Sequence, residues 1–217
     1  MSPVGPDGPS GMTRDGLRRH HQPRVERRPA RPYVGIPARA TDEAGFRAAM
    51  DEAVPATFGW VVRHGLRPAG GPVVRYRVVD ERRIPEEGPP PASFEACVPL
   101  EAAAPGVDGR LLADELPAGR WVVALHRGGY SGLAALHRIV LGWAADEGLR
   151  IDRTPAPDGT AYRGAIEHFR IGPFEEPDPW RWETDVAYLL AADDPPPAHG
   201  AAADDRAGPG TGDPTGR

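Results

Sequence analysis

All 15 aromatic residues of this 217-residue chain fall within residues 31–190. A chain orders only where buried apolar area offsets the entropy of fixing it, so this confinement locates the fold. Residues 1–30 carry six arginines against Asp7, Asp15 and Glu26, and residues 191–217 carry five aspartates against Arg206 and Arg217. Both stretches are expected to be disordered tails of opposite charge, flanking one domain over 31–190. Pro and Gly, 27 each, reach the level of a low-complexity chain, but many of those in the core fall in turns such as 68–72 and 81–91.

Several classes drop out. The 26 basic residues are all arginine, which excludes a Schiff-base lysine or a phosphate-loop lysine. No apolar run approaches the length of a membrane span, and no signal-peptide core follows the N-terminal charges. The single Cys97 fits a reducing compartment, so a cytoplasmic protein is expected. The histidines and Cys97 show no metal spacing, and no metal or other cofactor is expected. The net charge of −5 does not favour direct DNA binding.

Along the core, Pro32–Pro37 reads as a strand. Thr41 then caps a helix carrying Phe46, Met50, Ala53 and Val54, which Pro55 ends or kinks before a second piece closed by Gly65. Val73–Val79 is a strand with Val74, Tyr76 and Val78 on one face, and Phe94 to Leu100 is another. Leu111–Leu116 and Arg120–His126 are strands parted at Pro117-Ala118-Gly119, with Trp121, Val123 and Leu125 on one face. Ser131 caps a helix bearing Leu133, Leu136, Ile139, Val140 and Trp143, which Gly148 ends. Residues 153–161 read as a loop, and Tyr162–Ile171 and Thr184–Leu190 as strands. Residues 31–100 and 109–190 each run strand, helix, strand, strand. This order predicts an α+β domain built as a tandem repeat, with antiparallel sheets and a ligand cleft between the units.

Glu167 is the most informative position. Period two places it with Ala165, Phe169 and Ile171, among apolar neighbours. A carboxylate there either pairs with a core arginine or floors an aromatic pocket for a cationic or hydrogen-bonding ligand. Tyr76 and Trp121 are candidates to line the same cleft, and Tyr130, Phe169 and Trp182 are further candidate contacts. His126, at a strand-to-helix junction, reads as satisfying a turn carbonyl, and Asp185 as paired.

Leu116-Pro117-Ala118-Gly119-Arg120-Trp121, followed by His126-Arg127-Gly128-Gly129-Tyr130-Ser131-Gly132-Leu133, resembles a segment of GyrI-like domains, the effector-binding domains of AraC- and MerR-type regulators. Leu141-Gly142-Trp143 with Glu147-Gly148-Leu149, Glu167-His168-Phe169 and Trp182 to Leu190 resemble later family elements. Arg67 to Tyr76 and Glu95 to Pro99 resemble earlier ones. The resemblance implies two repeated units around a ligand cleft, with Glu167 contacting a cationic aromatic ligand. Phe169 stands where the family has tyrosine, and Gly129 where it has proline. No helix-turn-helix fits residues 1–30, so a stand-alone protein binding a small aromatic or cationic molecule is expected. The alternatives are a hydrolase of cyclopropane-bearing, DNA-alkylating natural products, with Glu167 catalytic and Asp185 or His126 assisting, and a gyrase-inhibitor-like interaction protein.

Overall fold

The computed structural model of the protein describes residues 22–83 and 89–192. Its elements are β1 (Arg24–Arg28), β2 (Arg31–Ala40), α1 (Glu43–Arg63), β3 (Val73–Val79), β4 (Ala92–Pro99), β5 (Leu112–Leu116), β6 (Gly119–Arg127), α2 (Leu133–Asp146), β7 (Arg153–Ala156), β8 (Gly159–Tyr162), β9 (Ala165–Ile171) and β10 (Glu183–Leu189). The α+β class is as expected, but the described strands join one antiparallel sheet rather than several. Its order is β1-β6-β10-β9-β3-β4-β2-β5, with the β7–β8 hairpin attached to β3.

The sheet curls because two of its strand pairs are one bent ribbon. β1 pairs with β6 from Arg24–Val123 to Arg28–Gly119. β2 pairs with β5 from Arg31–Leu116 to Gly35–Leu112, resuming the same register after the bend. The bend sets Pro29-Ala30 against Pro117-Ala118, prolines standing where the ladder is interrupted. Since β6 also pairs with β10, and β2 with β4, the ribbon carries the sheet round upon itself.

Strand β1 corrects the expectation that residues 1–30 are a disordered tail. It buries little; the β6 ladder orders it, with Glu26 held by Arg24 and Arg28, and Arg28 reaching Asp185 at 3.5 Å. The remainder of the two expected tails, residues 1–21 and 193–217, lies outside the described residues.

Other local readings change as well. Pro55 neither ends nor divides the first helix, which runs through it. The carbonyl deprived of its donor belongs to Asp51, on the exposed side of α1. Asp42, not Thr41, caps α1, its Oδ1 accepting from the Gly45 amide at 2.8 Å. Ser131 supplies no cap; it lies in a 3-10 turn, Tyr130–Gly132, that leads into α2. The expected loop 153–161 contains the β7–β8 hairpin, turned at Pro157-Asp158-Gly159. The expected strand over 162–171 is broken between β8 and β9 at Arg163-Gly164.

Both helices lie on one face of the sheet. α1 packs Ala53 and Val54 on Ile36 and Ala96, and Trp60 and Val61 on Val34 and Val98, covering β2 and β4. α2 packs Leu133, Leu136, Val140 and Ala144 over β6 and β10, against Val122, Ala124 and Val186. The other face carries Tyr33, Cys97, Trp121 and Ile166, buried without a helix because the curled sheet folds over them. The central strands β3 and β9 run between the two helices.

Candidate functional site

Cross-strand register brings the site together. On the helix-bearing face Val74 of β3 lies opposite Glu167 of β9, Glu167 opposite Val186 of β10, and Val186 opposite Ala124 of β6. Glu167 therefore sits at the joint of the two halves, between α1 and α2, and is 5% exposed. Among the described residues it pairs with no arginine. The Tyr76 hydroxyl donates to its Oε1 at 3.2 Å, and Nε2 of His137, on α2, lies 2.8 Å from the same oxygen. Nδ1 of His137 lies 2.8 Å from the Tyr188 hydroxyl. With Glu167 ionised and His137 neutral, Nε2–H donates to the carboxylate and Nδ1 accepts from Tyr188. Oε1 takes both bonds and Oε2 takes neither.

Rings surround this carboxylate. Tyr76 stacks with Phe46 at 6.3 Å and meets the His137 ring edge-on at 5.9 Å. Tyr130 packs on Phe169 at 5.2 Å and on Trp182 at 4.7 Å, forming a second, more exposed group beside it. Burial, and then Glu167, push the Tyr76 phenol well above its ordinary range. Burial, and then the neighbouring Tyr162 phenol and Glu167 carboxylate, do the same to Tyr188. The Tyr130 phenol is pushed up to about 12 by partial burial, then by Glu167 and Glu175. All three phenols remain protonated hydrogen-bond donors at neutral pH.

Of the residues singled out from sequence, Glu167, Tyr76, Tyr130, Phe169 and Trp182 are brought together. Trp121 is not. It faces away with Val123 and Ile166, is 1% exposed, and donates its indole N–H to the Pro117 carbonyl. His126 meets the Gly129 carbonyl at 2.8 Å, as a turn-satisfying histidine should. Asp185 lies on the opposite face, 3.5 Å from Arg28 and 3.8 Å from Arg170, and cannot act with Glu167. His137 was missed. Its signal is its spacing, four residues after Leu133 and three before Val140, which puts an imidazole on the buried stripe of α2.

At the place expected for an open cleft the residues are buried, Tyr76 being 4% and Glu167 5% exposed. Two surface depressions lie elsewhere, one of about 490 Å³ under the C-terminal end of α2 and one of about 400 Å³ at the ends of β2 and β4. Neither is lined by Glu167. Among the described residues no group of three histidines, cysteines or carboxylates could hold a metal ion. No helix there is long and apolar enough to cross a membrane.

No family model matches the chain, and no curated protein matches it in sequence. Solved structures do. The EcmrR–DNA complex matches with a TM-score of 0.62 at 16% identity, over 79% of this chain and 57% of the EcmrR chain. This chain thus spans little more than half the length of that protein. The EcmrR C-terminal domain alone matches with a TM-score of 0.57 at 16% identity, over 79% of this chain and 98% of the domain. An uncharacterized conserved protein from Listeria innocua matches with a TM-score of 0.53 at 14% identity, over 78% and 92% of the two chains. The chain therefore has the fold of the EcmrR C-terminal domain, the fold that its resemblance to GyrI-like effector-binding domains implies.

Proposed function

We propose that this chain is a small-molecule-binding protein of GyrI-like type, whose ligand is an aromatic cation held by Glu167. One observation carries the reading: a nearly buried carboxylate whose hydrogen-bond partners among the described residues are a phenol and an imidazole, with no guanidinium there neutralising it. A buried charge is costly unless paired, and neutral donors compensate it only in part. The site therefore keeps an attraction for a positive charge, and the surrounding ring faces add cation–π attraction. The ligand enters past Tyr130, which is 40% exposed, and displaces the half-buried Phe169 and Trp182 side chains. The sheet order, with β6-β10-β9 beside β3-β4-β2, supports two copies of one strand-helix-strand-strand unit meeting at this site. The same reading makes the protein cytoplasmic, with no need of a cofactor, metal or DNA contact.

A hydrolase would need a second polar group free to act beside Glu167. Asp185 and His126 lie away from it, and both nitrogens of His137 are already bonded. Binding is the better-supported reading. It is tested by titrating a lipophilic dye cation into the wild type and into Glu167→Gln. The amide keeps the shape and removes the charge, so the expected loss is at least about tenfold, with a neutral analogue of the dye unaffected. Equal cation affinity for the two proteins would remove Glu167 from the role.

A further inference from the structure

We infer that His137 sets the charge selectivity of this site: neutral, it leaves Glu167 free to attract a cation, and protonated, it cancels that attraction. The inference rests on the binding reading and assigns its selectivity to a residue outside the family resemblance. The geometry is a bracket, with one ring nitrogen 2.8 Å from the Glu167 carboxylate and the other 2.8 Å from the Tyr188 hydroxyl. A hydroxyl both donates and accepts, so Tyr188 serves either state of the ring. It donates to Nδ1 of the neutral imidazole and accepts from Nδ1–H of the imidazolium, with no heavy atom obliged to move. A single proton thus changes the Glu167–His137 pair from a net charge of −1 to zero.

The surroundings make that proton matter. The groups facing the ring are Glu167 from β9, Tyr188 from β10 and Tyr76 from β3. Beyond Tyr188 lies Tyr162 of β8, which bonds to Glu81, itself paired with Arg153 at 3.0 Å. Glu167 is the one charged group in hydrogen-bond contact with His137 among the described residues. The pair is close to buried, the side chains being 19% and 6% exposed, so salt and water screen it less than a surface pair.

The test measures affinity for a lipophilic dye cation and for a neutral dye of the same ring system, at pH 8 and pH 5.5, the interval in which imidazoles titrate. The wild type is expected to bind the cation about tenfold more weakly at pH 5.5, and the neutral dye equally at both. His137→Gln, which keeps a donor to Oε1 but cannot ionise, is expected to bind the cation equally at both. A variant-free measurement stands beside it: by linkage, saturating the wild type with the cation at pH 5.5 must release protons into weakly buffered solution, and the neutral dye must not. A flat wild-type profile, a pH effect retained in His137→Gln, or cation binding without proton release would each overturn the inference. Failure of the underlying reading looks different, with no cation binding at pH 8 or binding that ignores Glu167→Gln.

Discussion

A single methyl group placed on Gly71 is expected to disturb both the fold and the site. Gly71 leads into β3 where that strand meets β9, and the Phe169 amide donates to the Pro72 carbonyl at 3.0 Å. A Cβ on Gly71 would stand 1.9 Å from the Phe169 carbonyl oxygen and 3.1 Å from its carbon, both backbone atoms that no rotamer can move aside. Ordinary contact begins at 3.4 Å, so the strands must part by about 1.5 Å (3.4 minus 1.9). A movement of half that size already carries the Phe169–Pro72 bond beyond hydrogen-bonding range. Overpacking of this kind costs about 1–3 kcal/mol and the lost bond about 1, giving about 2–4 kcal/mol for Gly71→Ala. In a domain of this size that is a fall of about 4–16 °C in Tm. Gly106→Ala is the control: nothing lies within 4 Å of a Cβ there, so stability should be unchanged or slightly raised. Urea unfolding of the two variants beside the wild type measures the difference. The reasoning is wrong if Gly71→Ala lies within 1 kcal/mol of Gly106→Ala. Because Glu167 is two residues from Phe169, the variant should also bind a dye cation more weakly.

Trp121→Leu is expected to cost about 2–4 kcal/mol of stability yet leave cation affinity in the folded protein unchanged, since this ring packs on the face away from Glu167. Tyr130→Ala should do the reverse, and paired unfolding and dye-binding measurements separate the two. Cys97 is 1% exposed and burial, ahead of the Glu95 charge, pushes its thiol well above the ordinary range. Its alkylation by iodoacetamide in native buffer should therefore follow global unfolding, slowing as stability rises; rapid labelling of the native protein would contradict its burial.

Within one strand, period two was a sound guide. It gave the bounds of β3, set Glu167 beside Ala165 and Phe169, and grouped Trp121 with Val123. It failed between strands, because alternation does not say which of two faces is shared by strands far apart in sequence. Only the register does: Glu167 opposes Val186, Val186 opposes Ala124, and Trp121 is three residues from Ala124, on the other side. His137 stayed hidden because a polar residue within an apolar helical stripe is discounted when the stripe is scored for hydrophobicity. β1 stayed hidden because its order comes from backbone pairing, which leaves no apolar signature in Arg24-Val25-Glu26-Arg27-Arg28.

That no described arginine pairs with Glu167 also needs a cause, since two lie on the strand beside it. The cause is the same alternation. Val74 and Tyr76 of β3 face Glu167, whereas Arg75 and Arg77 point to the opposite face. There the arginines find their carboxylates: Arg75 lies 2.8 Å from Asp114, and Arg77 lies 2.6 Å from Glu95 and 2.7 Å from Asp114. The Asp114 carboxyl is held at about 2 although burial acts to raise it, because the Glu115 amide and the two guanidiniums outweigh that burial. One face of the sheet thus satisfies its carboxylates with guanidiniums, and the other leaves Glu167 to a phenol and an imidazole. Slipping β3 by one residue would exchange the two, giving Glu167 an arginine and removing Tyr76. The register that holds β3 against β9 is therefore what keeps Arg75 and Arg77 away from this carboxylate, and it is this joint that a side chain at Gly71 would force apart.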